Sequence, residues 1–172
     1  MSEKKIAIVI NGKGGVGKDT LCEGAKSRFR IRNVSSITPI KNIARLCGWN
    51  GEKDDRSRRF LAELKQLCVD YNNYPTLWAK AEYEEFLRGD EQIMFLHIRE
   101  PEEIAKFVEA TEGRARTLLV RADERLKKDV YGNAADDNVE KYSYDYYFDN
   151  EGEPSLMCHS FCELLSEILS AE

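Results

Sequence analysis

The sequence predicts an α/β fold, a parallel β-sheet with helices on both faces, wound as one domain over residues 1–172. Three observations predict it. A short apolar run at 5–10 ends in Asn11-Gly12 and passes into a helical pattern, as a buried parallel strand followed by a turn does. Strand-like and helical segments then alternate to the end of the chain, and such alternation closes into parallel sheets through right-handed crossovers. Finally, 172 residues with 42% hydrophobic side chains are enough to bury one sizeable core.

The elements follow in order. After the strand at 5–10, the helical pattern runs from Lys18 to about Arg30. A weaker strand is expected at 34–38, ended by Pro39, then a helix at 40–47 and a loop at Gly48-Trp49-Asn50-Gly51. In 55–71, Phe60, Leu61, Leu64, Leu67, Cys68 and Tyr71 recur at helical spacing, with Arg56, Arg58, Arg59 and Lys65 on the polar face, which gives a long amphipathic helix. Pro75 opens another helix carrying Leu77, Trp78, Ala81 and Phe86, closed by Gly89-Asp90. The apolar run 93–98 is a third strand, 101–111 a helix with a proline start and an acidic first turn, and 115–120 a fourth strand. Residues 121–143 are charged, without apolar periodicity and long for a connection, which favours a functional lid or a disordered loop. A short strand at 146–149 and a helix marked by Leu156, Met157, Phe161, Leu164, Leu165, Ile168 and Leu169 complete the chain.

Composition excludes several function classes. A net charge of −5 argues against a nucleic-acid partner, whose binding draws on neutralised phosphates. No apolar run approaches the ~20 residues of a membrane helix. Met-Ser-Glu-Lys-Lys leads into the first strand without a separate apolar leader, so a cytoplasmic protein is expected. The five cysteines, Cys22, Cys47, Cys68, Cys158 and Cys162, are odd in number, lack a CxxC pair and occupy apolar helical positions, which predicts reduced, buried thiols. Cys158, His159 and Cys162 invite a metal reading, since Cys158 and Cys162 at i and i+4 share a helix face, but zinc needs three or four ligands, and core packing is the preferred reading.

Gly12-Lys13-Gly14-Gly15-Val16-Gly17-Lys18 satisfies G-x-x-x-x-G-K, the Walker A pattern, directly between a predicted strand and a predicted helix. Its glycines let backbone N–H groups form an anion nest, the helix N-terminus adds its dipole, and the Lys18 ammonium reaches the β and γ phosphates of ATP. The Ser or Thr that ordinarily follows the lysine is Asp19, with Thr20 one place later. Asp19 is therefore a candidate Mg²⁺ ligand, directly or through water, or else a first-turn charge favourable to the helix dipole. At the end of the third strand, where a P-loop enzyme usually carries a second Mg-associated acid, Phe95-Leu96-His97-Ile98-Arg99-Glu100-Pro101 carries no aspartate. The missing acid has a counterpart in Asp19, and His97 is read as a hydrogen-bonding group facing the site or as a satisfied core histidine.

At these residues the chain resembles the P-loop nucleoside-monophosphate-kinase-like group, most closely the phage-type deoxynucleoside monophosphate kinases and animal-type phosphomevalonate kinases. The likeness is carried by Gly17-Lys18-Asp19-Thr20, Pro39-x-Lys41, the turn Gly48-Trp49-Asn50-Gly51-Glu52-Lys53, and Arg99-x-Pro101-x-Glu103, similar to a D-x-R-x-P-x-E segment with His97 in place of Asp. The resemblance implies a three-layer α/β/α P-loop fold with a five-stranded parallel sheet in the order 2-3-1-4-5. It also implies an acceptor-binding helical region at about 39–90 and a lid at about 121–143. An ATP-dependent phosphotransferase is expected, with ATP and Mg²⁺ as cofactors and a small phosphorylated acceptor, a nucleoside monophosphate first. Lys18, Asp19, Arg99 and Arg121 would be catalytic. ATP would be held by residues 12–20 and by Arg125, which would close over the phosphates with Arg121. Lys41, Arg45, Arg58 and Arg99 would meet the acceptor. Phosphoryl transfer needs little covalent help and much positioning and charge neutralisation, which suits this set of cations.

Two other readings stay open on the sequence. Lys13-Gly14-Gly15-Val16-Gly17-Lys18 also resembles the deviant Walker motif of partition and septum-positioning ATPases, whose early lysine reaches a partner's nucleotide across a dimer interface. The absence of an acid at position 97 also suits a nucleotide-binding regulatory domain without catalysis.

Overall fold

A computed structural model of the chain describes residues 3–122 and 138–172. Most of the lid expected at 121–143, including Arg125, lies outside these residues. The chain runs β1 (Ile6–Asn11), α1 (Lys18–Ala25), β2 (Ile31–Ser35), α2 (Thr38–Leu46), α3 (Asp55–Asn72), α4 (Tyr74–Arg88), β3 (Ile93–His97), α5 (Pro101–Ala110), β4 (Arg116–Arg121), a single 3-10 turn (Val139–Lys141), β5 (Tyr146–Asp149) and α6 (Pro154–Ala171). The five strands form one sheet in the order β2-β3-β1-β4-β5, and every neighbouring pair is parallel.

β1 reads as an unbroken apolar run because both of its faces are covered. Ile6, Ile8 and Ile10 pack with Leu21, Cys22 and Ala25 of α1 and with Phe161, Leu165 and Ile168 of α6. Ala7 and Val9 point the other way, into a second layer with Ala79 and Phe86 of α4 and Ile104 and Phe107 of α5. Phe161 anchors the first layer, stacked 6.0 Å from Phe95 and edge-on at 5.2 Å to Phe148.

The differences from expectation have local causes. β2 lies at Ile31–Ser35 and not at 34–38, because it pairs with β3 from Ile31 opposite Ile93 to Ser35 opposite His97. As a half-buried edge strand it carries Arg32 and Asn33, which mask it from a search for apolar runs. Arg32 is held by Glu82 at 2.9 Å and Glu91 at 3.2 Å. Pro39 opens α2 instead of merely ending a strand, a position where its missing N–H costs nothing. α1 stops at Ala25, where the Lys26, Arg28 and Phe29 amides turn back onto carbonyls of the last helical residues. The apolar stripe of α3 is only partly covered: among its residues Ser57 alone is buried, while Leu67 and Tyr71 are exposed. The thiols also differ from expectation. All five are free, but only Cys22 and Cys162 are buried, whereas Cys47 is exposed just beyond α2. Among the described residues no three His, Cys, Asp or Glu side chains gather as a metal cluster, and no helix is long and apolar enough to cross a membrane.

Replacing Phe161 by Ala removes a fully buried ring from between two others. Urea unfolding is expected to show a loss of about 3–5 kcal/mol. A loss below about 1 kcal/mol would mean that this layer is not packed as described.

Candidate functional site

Parallel pairing sets the strand ends level, so Ile10 lies beside His97 and Asn11 beside Leu119. The residues that follow β1, β3 and β4 therefore reach one edge of the sheet, the edge where ligands of such sheets bind.

The loop between β1 and α1 is fixed from its first residue. Asn11 is fully buried. Its Oδ1 accepts the Gly12 N–H at 2.9 Å, and its Nδ2 donates to the Arg99 carbonyl at 3.0 Å and to Tyr144 Oη at 2.9 Å. Tyr144 Oη in turn donates to the Val139 carbonyl at 2.7 Å. At Gly12 the space is closed to any side chain, since a Cβ there would lie 2.8 Å from both the Val120 carbonyl and Val16 Cγ2. Val16 is the apolar peg of the loop, 4% exposed and part of the core layer with α1 and α6. Gly17 has φ of 82°, and a Cβ on it would lie 2.5 Å from Asn150 Nδ2. That amide donates to the Val16 carbonyl at 2.8 Å.

α1 begins at Lys18, its N-cap is Gly17, which offers no side-chain cap, and the positive end of its dipole is turned toward the place an anion would take. Lys18 is half-buried at this terminus, while Gly14 and Gly15, earlier in the loop, and Thr20, in the first turn, are exposed. Asp19 projects outward, 93% exposed, with Oδ1 4.0 Å from His97 Nδ1. His97 is 16% exposed and its Nε2 lies 2.7 Å from Asn33 Oδ1. Burial pushes the imidazole down to about 4, helped by the Lys18 charge, opposed by Asp19 and helped again by Arg99. His97 is thus neutral near pH 7, and it shares one electrostatic environment with Lys18, Asp19 and Arg99. Uncapped N–H groups and Lys18 fit a polyphosphate, and an outward carboxylate fits a hard divalent cation.

Beside the loop lies a cavity of about 320 Å³, lined by residues that include Lys13, Val16, Val120, Arg121, Val139 and Asp149. Lys13 lies 3.5 Å from Glu140 on one side of it. Arg121 forms a two-pronged pair with Asp149, at 2.7 and 3.2 Å, and its guanidinium lies 4.9 Å above the Tyr147 ring. The charge of Arg121 is therefore matched within the fold. Arg99 follows β3 on the exposed surface. The expected acceptor residues belong to the helices between β2 and β3. Lys41 is half-buried on α2. Arg45 donates to Asn42 at 3.2 Å and lies over Trp49, and Arg58 pairs with Asp55 at 3.4 Å. Lys18, Asp19, Arg99 and His97 are brought together, then, while Arg45 and Arg58 are engaged by near neighbours in sequence. Sequence reasoning missed Asn11, Asn33, Tyr144 and Asn150. A polar residue ending an apolar strand was a usable signal for Asn11. Asn33 and Tyr144 carried no local signal.

Two predictions follow from this geometry. Gly17→Ala meets both a left-handed backbone and the Asn150 amide, and it is expected to cost ~1–2 kcal/mol for the backbone alone. Adding Asn150→Ala relieves the clash but not the strain, so a double-mutant cycle in urea is expected to show a coupling of about 1 kcal/mol; strict additivity would deny the contact. For His97, the folded value of about 4 lies below the ordinary 6.5. The unfolded chain therefore takes the proton first as pH falls, and the stability supplied by the neutral ring, complete above 6.5, is lost between 6.5 and 4. His97→Gln is expected to flatten the fall in unfolding free energy from about pH 7 to about 4.5 by on the order of 2 kcal/mol. Equal slopes for the two proteins would show that the ring is not held neutral.

No protein-family model matches the chain, and no curated protein sequence does. Solved structures similar to it include the tunicamycin resistance protein of Deinococcus radiodurans, at 13% identity over 94% of this chain and 96% of that one, with a TM-score of 0.58. A gluconokinase from Sinorhizobium meliloti 1021 matches at 12% identity over 99% and 97%, TM-score 0.54. Shikimate kinase from Bacteroides thetaiotaomicron matches at 16% identity over 96% and 98%, TM-score 0.52. At such identities the likeness is one of architecture, and with the strand order β2-β3-β1-β4-β5 it gives this chain the α/β fold of the P-loop kinases.

Proposed function

We propose that this protein is an ATP-dependent phosphotransferase acting on a small molecule, with a nucleoside or deoxynucleoside monophosphate as the favoured acceptor. The observation that carries the reading is Lys18 at the uncapped start of α1, behind a glycine loop and within the field of Asp19, His97 and Arg99. The loop N–H groups and Lys18 would hold the phosphates of ATP, and Asp19 would hold Mg²⁺, which supplies charge neutralisation at the phosphate oxygens. An acceptor oxygen would attack the γ-phosphorus as the bond to ADP breaks, with Arg99 beside the transferring group. Such positioning and neutralisation are most of what phosphoryl transfer requires. Arg121 would contribute on release from Asp149, and Arg125 with the lid at 121–143.

The acceptor preference rests on the resemblance carried by Gly17-Lys18-Asp19-Thr20 and Arg99-x-Pro101-x-Glu103. The region at 39–90, with Lys41, Arg45 and Arg58, would receive that molecule. Five free cysteines suit a reducing, cytoplasmic setting. One observation disfavours the dimeric switch: Lys13, the lysine that would cross to a partner, faces Glu140 of its own chain at 3.5 Å.

The test is release of ADP from Mg-ATP against nucleoside and deoxynucleoside monophosphates, phosphomevalonate, shikimate, gluconate and water. One acceptor is expected to raise the rate above the water background, and Lys18→Ala to lower it about 10²–10³-fold. ATP binding with no acceptor above water would remove the kinase reading in favour of a switch or a regulatory domain.

A further inference from the structure

His97 presents two nitrogens to two different surroundings. Nε2 lies 2.7 Å from Asn33 Oδ1, and an amide oxygen only accepts, so Nε2 carries the ring hydrogen. In the neutral ring Nδ1 is then a bare acceptor. It faces the Asp19 carboxylate at 4.0 Å, too far for a hydrogen bond and wrong in kind, since neither group donates. Two acceptors about 4 Å apart are spanned by one water whose hydrogens point one to each, at ~2.8 Å. This gap opens beside Lys18, whose charge reaches His97, at the start of α1 where the phosphates would lie. A magnesium ion retains several waters and favours oxygen over imidazole nitrogen, so the ring suits the second shell of a bound cation better than the first.

We propose that Nδ1 of His97 and the Asp19 carboxylate together receive the two hydrogens of one water bound to the nucleotide's divalent cation, and that Asn33 is the residue that fixes His97 for this. His97 thereby takes, as a neutral acceptor, the place of the acid missing from the end of β3. The proposal rests on the Mg-ATP reading above and extends it to a positioning residue on the edge strand. Asn33 is exposed on β2, so replacing it leaves the core intact.

The experiment is calorimetric titration with ATP, with and without Mg²⁺, of the wild type, His97→Phe, Asn33→Leu and Asn33→Asp. The quantity read is the ratio of the two dissociation constants, the gain in affinity that Mg²⁺ confers. His97→Phe is expected to reduce that gain about 10–100-fold, the range for loss of a partner to a metal's bound groups. Asn33→Leu should move it in the same direction by less, and Asn33→Asp, which still accepts from Nε2, should restore it. A merely structural Asn33–His97 bond would lower unfolding free energy in Asn33→Leu and leave the Mg²⁺ gain unchanged. Wild-type gain in both His97→Phe and Asn33→Leu overturns the proposal alone. A wild type that binds no ATP, or binds it without regard to Mg²⁺, overturns the phosphotransferase reading and this proposal with it.

Discussion

Asn11 closes the central strand with a carboxamide that has no access to solvent, and burial obliges each of its polar atoms to find a partner inside the protein. Those partners are the backbone at Gly12, the carbonyl of Arg99 and the hydroxyl of Tyr144. One side chain thereby fixes where the loop leaves β1, where the chain leaves β3, and where the segment returning at Val139 and Tyr144 meets the sheet. Three pieces of backbone distant in sequence are held in one register by the cost of leaving a buried amide unpaired. An aliphatic residue would suit β1 equally well as a strand and would leave all three pieces untied.

The loop that follows inherits this precision. Val16 is buried as a peg, so the backbone on either side of it must bend outward, and the bend is possible only where Gly15 and Gly17 take left-handed conformations. Asn150 fills the space that a side chain on Gly17 would need and holds the Val16 carbonyl. The last strand, β5, thus supports the loop after the first strand, which links the edge of the sheet to its centre. The start of α1 lies at this same edge of the sheet, so the positive end of the helix dipole is presented beside the loop.

Much of this was legible in the sequence, for identifiable reasons. β1, β3 and β4 announce themselves because strands buried on both faces must be apolar throughout, and the glycine loop because few backbones accept that spacing of Gly and Lys. α5 was legible from Pro101 and its acidic first turn. β2 was misplaced by three residues because an edge strand alternates with charge, and Arg32 belongs to an ion network with Glu82 and Glu91 that no local pattern discloses. The site divides in the same way. Lys18 and Asp19 are fixed by their place in one loop, whereas Asn33 and Asn150 matter only through partners 64 and 134 residues away. Pairing across such distances has no signature in a single sequence. Arg121 shows the converse: its place at a strand end was legible, but its engagement with Asp149 and Tyr147 was not.

The charge balance at the loop bears on how a cation would arrive. Asp19 contributes one carboxylate, and His97, held neutral by burial and by Lys18, contributes none. Lys18 and Arg99 bring two positive charges into the same field. At the mouth of the loop Asp19 is a single, exposed carboxylate, which alone is a weak site for a hard divalent cation. The phosphates of a nucleotide at the start of α1 would supply further oxygen ligands. On the proposed reading, cation and nucleotide therefore enter together. Exchange of the second acid for a neutral acceptor ties metal binding to occupancy of the loop instead of preceding it.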